Sequence, residues 1–263
     1  MPDRQVDFFI AGTQKGGTTA LRAKLLKHPD LAFSKQKEIH FFDREDIDWQ
    51  APPYDDLHAH FDLRQPKLFG EATPIYLYWP EAMKRIHRYN PEARLIFILR
   101  HPTYRALSAW KMERARAQET YSFSRAVSLI GRCRVRFAKG GVHRVFSYVE
   151  RSCYAPQIRR LLTVFPREQL LFLTTDQLWT DEQDTLRRVC AFLGIDTSYG
   201  DTLPAQKKYI VPVDARHVPM QDAATITKLN KRFRRDIIRT ADLTGLDLSG
   251  WLESGYTDPM HDR

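Results

Sequence analysis

Residues 8–21 read FFIAGTQKGGTTAL, and this stretch decides the fold. An apolar run leads into a glycine-punctuated loop that carries one lysine, Lys15, and then into Thr18 and Thr19 at the start of a helical pattern. A buried strand, a tight turn and a helix N-terminus in that order suit an anion, because glycine lets the backbone approach a phosphate and the helix dipole favours negative charge. The stretch therefore predicts a phosphate-binding loop.

Further apolar runs alternate with amphipathic stretches along the rest of the chain. Residues 67–71, 94–99 and 169–173 are typical of buried strands. Strands alternating with helices favour a parallel sheet that is covered on both faces. We therefore predict an α/β protein, a three-layer P-loop-like fold with a central parallel sheet flanked by helices, in which residues 1–263 form a single domain. Ligands bind such sheets at the carboxyl ends of the strands.

Helical patterns fill most of the segments between these strands. We predict helices at residues 18–27, 78–89, 103–118, 154–165, 182–193 and 220–243, with weakly helical residues 123–148 and irregular residues 198–218. The last helix is basic, but Leu229, Phe233 and Ile237 recur on its other face. That spacing favours an amphipathic surface helix over a nucleic-acid stripe.

The composition is that of a globular protein with an excess of positive charge. The chain has 41 Lys and Arg against 32 Asp and Glu, a net charge of +9, which suggests an anionic ligand or simply solubility. No apolar run approaches the length of a membrane-spanning helix. A first strand near Val6 leads us to expect neither signal peptide nor membrane anchor. The three cysteines lack metal-ligand spacing, so we expect reduced thiols in a cytoplasmic protein.

The loop departs from the pattern of an ATP-binding loop at one informative position. Gly12 and Gly17 have the Walker A spacing, but Thr18 stands where that motif has its lysine, and Lys15 lies three residues earlier. The strand at 94–99 is followed by Arg100 instead of a magnesium-binding acid. We therefore predict a site for two phosphate groups without a metal ion. An ATP-dependent phosphotransferase and a non-catalytic binder of RNA or another polyanion are the alternatives.

Several segments together resemble the sulfotransferases that use PAPS (3′-phosphoadenosine 5′-phosphosulfate), above all the heparan-sulfate-type branch and its soluble bacterial relatives. Residues 14–21 (QKGGTTAL) resemble the family's 5′-phosphosulfate loop, and residues 38–43 (EIHFFD) its catalytic-base segment. Residues 99–108 (LRHPTYRALS) are similar to its 3′-phosphate motif. Residues 153–158 and 192–194 resemble later segments in the same order.

The resemblance implies transfer of a sulfonate group from PAPS to a hydroxyl or amine, with PAP as product and no metal. Lys15 would neutralise charge on the oxygen that leaves sulfur. Arg100 and Ser108 would hold the 3′-phosphate. The remaining donor-binding residues implied in the loop are Gln14, Gly16, Gly17, Thr18 and Thr19.

By the same resemblance, Glu38 is the general base that removes the acceptor's proton. Lys37 and Lys35 either lower its pKa or are solvated neighbours. His40 would share the face of Glu38 if the segment is extended, and would then orient the acceptor; the alternative is a histidine packed beside Phe41.

Three departures from the family pattern concern the acceptor side and the lid over the donor. Ala72 stands where a lysine is common after a glutamate such as Glu71. The loop that closes over PAPS has no clear copy; the candidates are residues 207–209 and Arg216, of which we favour Arg216. The disulfide of the heparan-type branch is absent, as expected in a reducing compartment.

The acceptor is predicted only as a class, a small molecule or a glycan. Six acids in residues 43–56 favour a neutral or cationic acceptor over a heparin-like polyanion. We expect neither nucleic acid nor a membrane as partner, and the sequence leaves the oligomeric state open. Aromatic residues line an acceptor pocket or belong to the core: Trp49, Tyr54, Tyr76, Tyr78 and Trp79.

Overall fold

The structure, a computed structural model, describes residues 4–199 and 223–260. Contacts divide these residues into two compact units. The first unit comprises residues 4–99 and 160–199, and the second comprises residues 100–159 and 223–260.

The first unit is built on a five-stranded sheet in the order β2-β3-β1-β4-β5, in which every neighbouring pair is parallel. Strand β1 lies at the centre, with Phe8 opposite Gly70 on one side and opposite Arg94 on the other. The loops that follow β1 and β3 therefore leave the same edge of the sheet from adjacent positions. The strands are β1 Phe8–Gly12, β2 Leu31–Phe33, β3 Leu68–Glu71, β4 Arg94–Leu99 and β5 Leu170–Thr174.

Apolar side chains on both faces of the sheet account for its central position. One face joins Phe8 and Ile10 to the core beneath α1 (Thr18–Leu25), α8 (Thr175–Thr180) and α9 (Glu182–Leu193). The other face packs Phe9 edge-on against Phe42, with ring centroids 5.6 Å apart. Helices α2 (Tyr54–His58) and α3 (Ala82–Tyr89) lie on that side, where Tyr89 contacts both Phe42 and Tyr54.

The second unit is helical among its described residues. Helix α10 packs against α4 through buried Leu229, Phe233 and Ile237, which confirms the amphipathic surface helix expected from their spacing. The division between the units falls within α7, after residue 159. The other helices are α4 Pro102–Ala115, α5 Phe123–Val127, α6 Leu129–Arg136, α7 Tyr154–Leu162 and α10 Ala223–Thr244, with short 3₁₀ helices at Lys139–Gly141, Glu150–Ser152, Arg167–Gln169 and Ser249–Leu252.

The predicted α/β fold with a central parallel sheet flanked by helices is confirmed, and the predicted strand at residues 94–99 has the observed bounds. The sequence analysis missed β2, which is only three residues long, and α8. A local signal for α8 was present, because Thr174 and Gln177 form a reciprocal capping box at its start. Of the segment expected to be irregular, residues 200–218 lie outside the described residues.

Candidate active site

The loop after β1 is held against the sheet by its own backbone. The amide and the hydroxyl of Thr13 both donate to the Ile98 carbonyl of β4, at 3.0 and 2.8 Å. The Gly16 amide donates to the Thr13 carbonyl at 2.9 Å, and the Gly16 carbonyl accepts from the Thr175 hydroxyl at 2.7 Å. These contacts fix the path of the chain through the loop before α1 begins.

The conformation of the loop requires its glycines. A Cβ atom on Gly16 would lie 2.2 Å from the Ile98 carbonyl oxygen, which is closer than packed atoms approach. Gly17 has φ +112°, and Lys15, immediately before Gly16, also has a positive φ, 72°. A non-glycine residue in this region is uncommon and concentrates at functional sites. Contacts between the loop and the sheet thus fix the backbone conformation that positions half-buried Lys15.

The start of α1 suits an anion. Gly17 precedes the helix without a side-chain cap, and the first turn contains no acidic residue. The amides of a first helical turn have no partner within the helix, and the helix dipole gives this end a partial positive charge. Thr18 and Thr19 add hydroxyl groups to that turn. These residues fit a phosphate or phosphosulfate group held by backbone donors.

Glu38 is an ionised carboxylate between two cationic groups. The Lys37 ammonium donates to its Oε1, and His40 Nε2 lies 3.7 Å from its Oε2. Burial opposes its charge, but the ion pair with His40 and the hydrogen bond from Lys37 outweigh burial and lower the pKa of Glu38 to about 2. Lys37 therefore lowers the pKa of Glu38 and is not merely a solvated neighbour. Lys35, by contrast, is exposed.

His40 joins Glu38 to a second acid that the sequence analysis had counted only as part of an acidic loop. Its Nδ1 lies 3.0 Å from Oδ2 of Asp43, whose side chain is fully buried. The hydrogen bond to Asp43 and then the ion pair with Glu38 raise the pKa of His40 to about 9, against the opposing effect of burial. His40 is therefore protonated at neutral pH. Its side chain is 42% exposed, so His40 is not the packed histidine of the alternative hypothesis.

The segment that carries Glu38 and His40 is not extended, contrary to the condition on which their shared face was expected. Glu38 has φ 59° and His40 has φ 57°, both in the left-handed region, and no strand is assigned there. The two side chains meet because the backbone turns at both positions, not because they alternate along a strand. Their proximity is thus a property of the loop's tertiary contacts.

Residues at the end of β3 provide those contacts. Glu71 Oε1 accepts from the Ile39 amide at 3.3 Å, and the Thr73 hydroxyl accepts from the His40 amide at 3.4 Å while donating to Glu71. The Glu38 amide donates to the Ala72 carbonyl at 3.2 Å. Glu71, the acid before Ala72, therefore contacts the backbone of the segment that carries Glu38, and Thr73 is a contributor that the sequence analysis did not single out.

Glu71 is fully buried, and its Oε2 has no hydrogen-bond partner among the described residues. Burial raises the pKa of Glu71 to about 7, although Thr73 and the Ile39 amide stabilise its charged form. This is the group at the site that titrates near neutral pH.

Glu71 should make the protein's stability depend on pH. Its folded pKa, about 7, lies above the ordinary 4.5, so its contribution is present below pH 4.5 and is lost as the pH rises through 7. Relative to wild type, Glu71→Gln should gain roughly 3 kcal/mol in the free energy of unfolding between pH 4 and pH 8. Urea denaturation at both pH values measures this difference; Glu168→Gln, at an exposed position, is the matched control. A pH-independent difference would contradict the assignment.

In the second unit, the predicted phosphate ligand Arg100 is bound to an acid. Its Nε and Nη2 donate to Oδ2 and Oδ1 of Asp258 at 2.8 and 2.6 Å, a bidentate pair in which both side chains are buried. Asp258 is 158 positions away, and no sequence pattern relates the two residues. Ser108 lies half-buried on α4.

The neighbours of this pair immobilise the chain around it. The Tyr154 hydroxyl donates to the Arg100 carbonyl at 2.7 Å. The next residue, His101, stacks on Tyr256 with ring centroids 4.7 Å apart, and its Nε2 lies 3.2 Å from the Trp251 carbonyl. Burial lowers the pKa of His101 to about 4, so this histidine is neutral and structural.

Other predicted residues are either core or beyond the described part of the chain. Tyr76, Tyr78 and Trp79 are buried, which favours the core reading over an acceptor pocket. Arg216 and residues 207–209, the candidates for the closing loop, lie outside the described residues.

Comparison with known proteins identifies the family. A model of the sulfotransferase domain matches residues 5–239. The chain belongs to the sulfotransferase family. This membership confirms the predicted family and enzyme class, and the family concerned is not that of the ATP-dependent phosphotransferases kept as an alternative.

Relatives and solved structures agree with this membership. Mouse heparan sulfate glucosamine 3-O-sulfotransferase 6 is 32% identical over 191 residues, which cover 71% of this chain and 51% of that protein. The chain thus spans about half the length of this curated relative. A sulfotransferase of Alicyclobacillus acidocaldarius has a TM-score of 0.77 at 26% identity, covering 95% of this chain and 100% of that one. A mouse sulfotransferase complexed with PAP shares the fold, with a TM-score of 0.51 at 17% identity over 90% of this chain and 85% of that one.

Three structural findings complete the description of this family member. Cys133, Cys153 and Cys190 are free. Within residues 4–199 and 223–260, no cluster of three or more His, Cys, Asp or Glu side chains could hold a metal ion. In the same residues, no helix has the length and hydropathy needed to cross a membrane.

Proposed function

We propose that this protein transfers a sulfonate group from PAPS to a hydroxyl group of a saccharide, releasing PAP, without a metal ion. One arrangement carries the proposal: an anion-binding loop with Lys15 follows β1, while the end of the neighbouring strand β3 holds the segment that contains the ionised Glu38. Family membership supports it. The sequence left hydroxyl and amine acceptors open; the 3-O-sulfotransferase relatives support a hydroxyl.

On the donor side, PAPS supplies an activated sulfur–oxygen bond. The first-turn amides of α1 and the loop residues from Gln14 to Thr19 bind the 5′-phosphosulfate, as a helix N-terminus binds phosphate. Lys15 neutralises the charge on the oxygen that leaves sulfur. Arg100 and Ser108 bind the 3′-phosphate; Asp258 holds the Arg100 guanidinium in one orientation. Arg216 is proposed for the closing loop.

On the acceptor side, Glu38 takes the proton. A new bond forms between the acceptor oxygen and sulfur, the bond from sulfur to the leaving phosphate oxygen breaks, and the acceptor's proton passes to the Glu38 carboxylate. His40, fixed by Asp43, keeps that carboxylate ionised and oriented. The low pKa of Glu38 keeps its carboxylate ionised, which a general base requires. To accept the proton, however, the carboxylate needs its interactions with His40 and Lys37 to weaken as the proton arrives.

Pairing of the acids near this site weakens the reason for expecting a neutral or cationic acceptor. Asp43 is buried against His40, Glu45 pairs with Arg85 at 3.0 Å, and Asp46 pairs with Arg44. These acids are compensated locally and do not form an unbroken negative face. An acidic glycan is therefore included in the proposed acceptor class.

We also propose that the chain is one catalytic domain and that it acts in the cytoplasm. The family match runs through both compact units, which supports a single domain. Three free cysteines support a reducing compartment.

Donor and acceptor are tested separately. PAP should raise the melting temperature more than ATP with magnesium does, because the loop lacks the lysine position and the metal-binding acid of an ATP site. Labelled PAPS should then transfer its sulfonate to neutral or acidic saccharides in preference to a cationic amine. Stabilisation by ATP with magnesium alone would overturn the donor assignment. Preferential labelling of the amine would overturn only the acceptor assignment.

A further inference from the structure

Helix α6 and the residue after it carry the most exposed large apolar side chains of the described residues. Leu129, Ile130 and Phe137 are 77%, 62% and 81% exposed. Positions seven and eight residues apart lie on the same side of a helix, so the three side chains form one apolar face. Gly131 and Val135 are the buried residues of α6, and they occupy its opposite side.

The chain around this face is positively charged. Residues 120–149 contain no Asp or Glu and six Lys or Arg. Two of these cations pair with the acids that flank the stretch: Arg132 with Glu150 at 2.7 Å and Arg134 with Glu119 at 2.8 Å. Four of the six have exposed side chains, whatever their contacts: Arg125, Arg136, Lys139 and Arg144.

The combination of apolar and cationic groups discriminates among partners. A polyanionic glycan would engage the cations but would leave large aliphatic and aromatic groups in water. A second copy packed face to face would bring like charges together, because such an interface is self-complementary. An anionic lipid surface satisfies both, since apolar side chains enter the interface while cations meet the headgroups.

We infer that the face formed by Leu129, Ile130 and Phe137, with its surrounding cations, docks on an anionic membrane surface. This differs from the expectation of no membrane partner, which rested on the lack of a spanning segment. Peripheral docking needs no such segment. The inference is independent of the proposed reaction, because it rests on side chains of α5, α6 and the residues that follow.

Sedimentation with lipid vesicles tests the inference. The full chain should bind vesicles of phosphatidylcholine with phosphatidylserine, bind pure phosphatidylcholine much more weakly, and dissociate as salt is raised. Leu129→Ser/Ile130→Ser/Phe137→Ser should lower the partition coefficient at least about tenfold. The matched control is Leu26→Ser/Ile238→Ser, which removes the other large apolar residues that are exposed in the described part of the chain and should leave binding unchanged. Thermal unfolding checks that each variant is folded.

Four outcomes would overturn the inference. The first is no binding to phosphatidylserine vesicles, and the second is binding that the triple variant retains. The third is self-association of the wild type, seen in sedimentation equilibrium and lost in the triple variant, which would identify a second copy as the partner. The fourth is heparin binding lost in Arg136→Glu/Lys139→Glu without any vesicle binding, which would identify a polyanion.

Discussion

Glu38→Gln should lower the turnover number for sulfonate transfer by about a hundred- to ten-thousand-fold, the range typical of a lost general base. Glutamine keeps the size of the side chain, but its amide cannot take the acceptor's proton, and its one carbonyl oxygen replaces only one of the two carboxylate oxygens that face Lys37 and His40. Affinity for PAP should be unchanged, because the donor loop is held by β4 and α8 through contacts that do not involve Glu38.

The measurement combines steady-state turnover with PAP-induced thermal stabilisation. Glu168→Gln makes the same chemical change at an exposed position and should behave as wild type in both. Near-wild-type turnover of Glu38→Gln would show that another group removes the proton. Loss of both turnover and PAP binding would instead indicate that the variant disturbs the donor site, and Lys37→Ala would then show whether the ion pair is needed for that site's structure.

Lys15→Ala should lower kcat/KM by about a hundred- to a thousand-fold, the cost of removing one preorganised group that stabilises developing charge. Charge accumulates on the leaving oxygen as its bond to sulfur breaks, so the loss should be larger in kcat than in PAP affinity. Alanine places no ammonium group at this position. The loop itself should persist, because Thr13 and Gly16 hold it against the sheet through their contacts with Ile98 and Thr175.

Two further variants make this prediction specific to the ammonium group. Lys15→Arg keeps the charge and should recover part of the lost activity, while Lys84→Ala, at an exposed position of α3, should have no effect. An equal loss in kcat and in PAP affinity for Lys15→Ala would reduce its role to ground-state binding. Full activity of Lys15→Ala would remove Lys15 from the reaction.

The sequence predicted the local elements that strong patterns specify. Continuous apolar runs identified β1, β4 and β5, since residues buried on both faces of a sheet leave no polar alternation. Glycine and lysine positions in the loop predicted an anion site. Short elements were not predicted. Strand β2 is too short to show a periodic pattern, and the sequence signal for α8 is only the capping box at its start.

Partnerships between distant residues were inaccessible to such patterns. No residue near Arg100 in the sequence indicates that it pairs with Asp258. Likewise, the acidic composition of residues 43–56 does not indicate that Asp43 is buried against His40. Contacts of this kind exist only after the chain has folded, because they join positions that no local periodicity relates.

The sequence by itself determined the family and the parallel sheet and predicted the candidate site residues, because each depends on residue type and spacing. Only the tertiary structure decided the protonation states and the orientations of those residues. The left-handed backbone at Glu38 and His40 brings their side chains together, and burial at the end of β3 brings Glu71 to a pKa of about 7. Both effects arise from desolvation and from contacts between residues that are distant in the sequence. The sequence encodes these contacts, but local patterns of residue type and spacing do not reveal them.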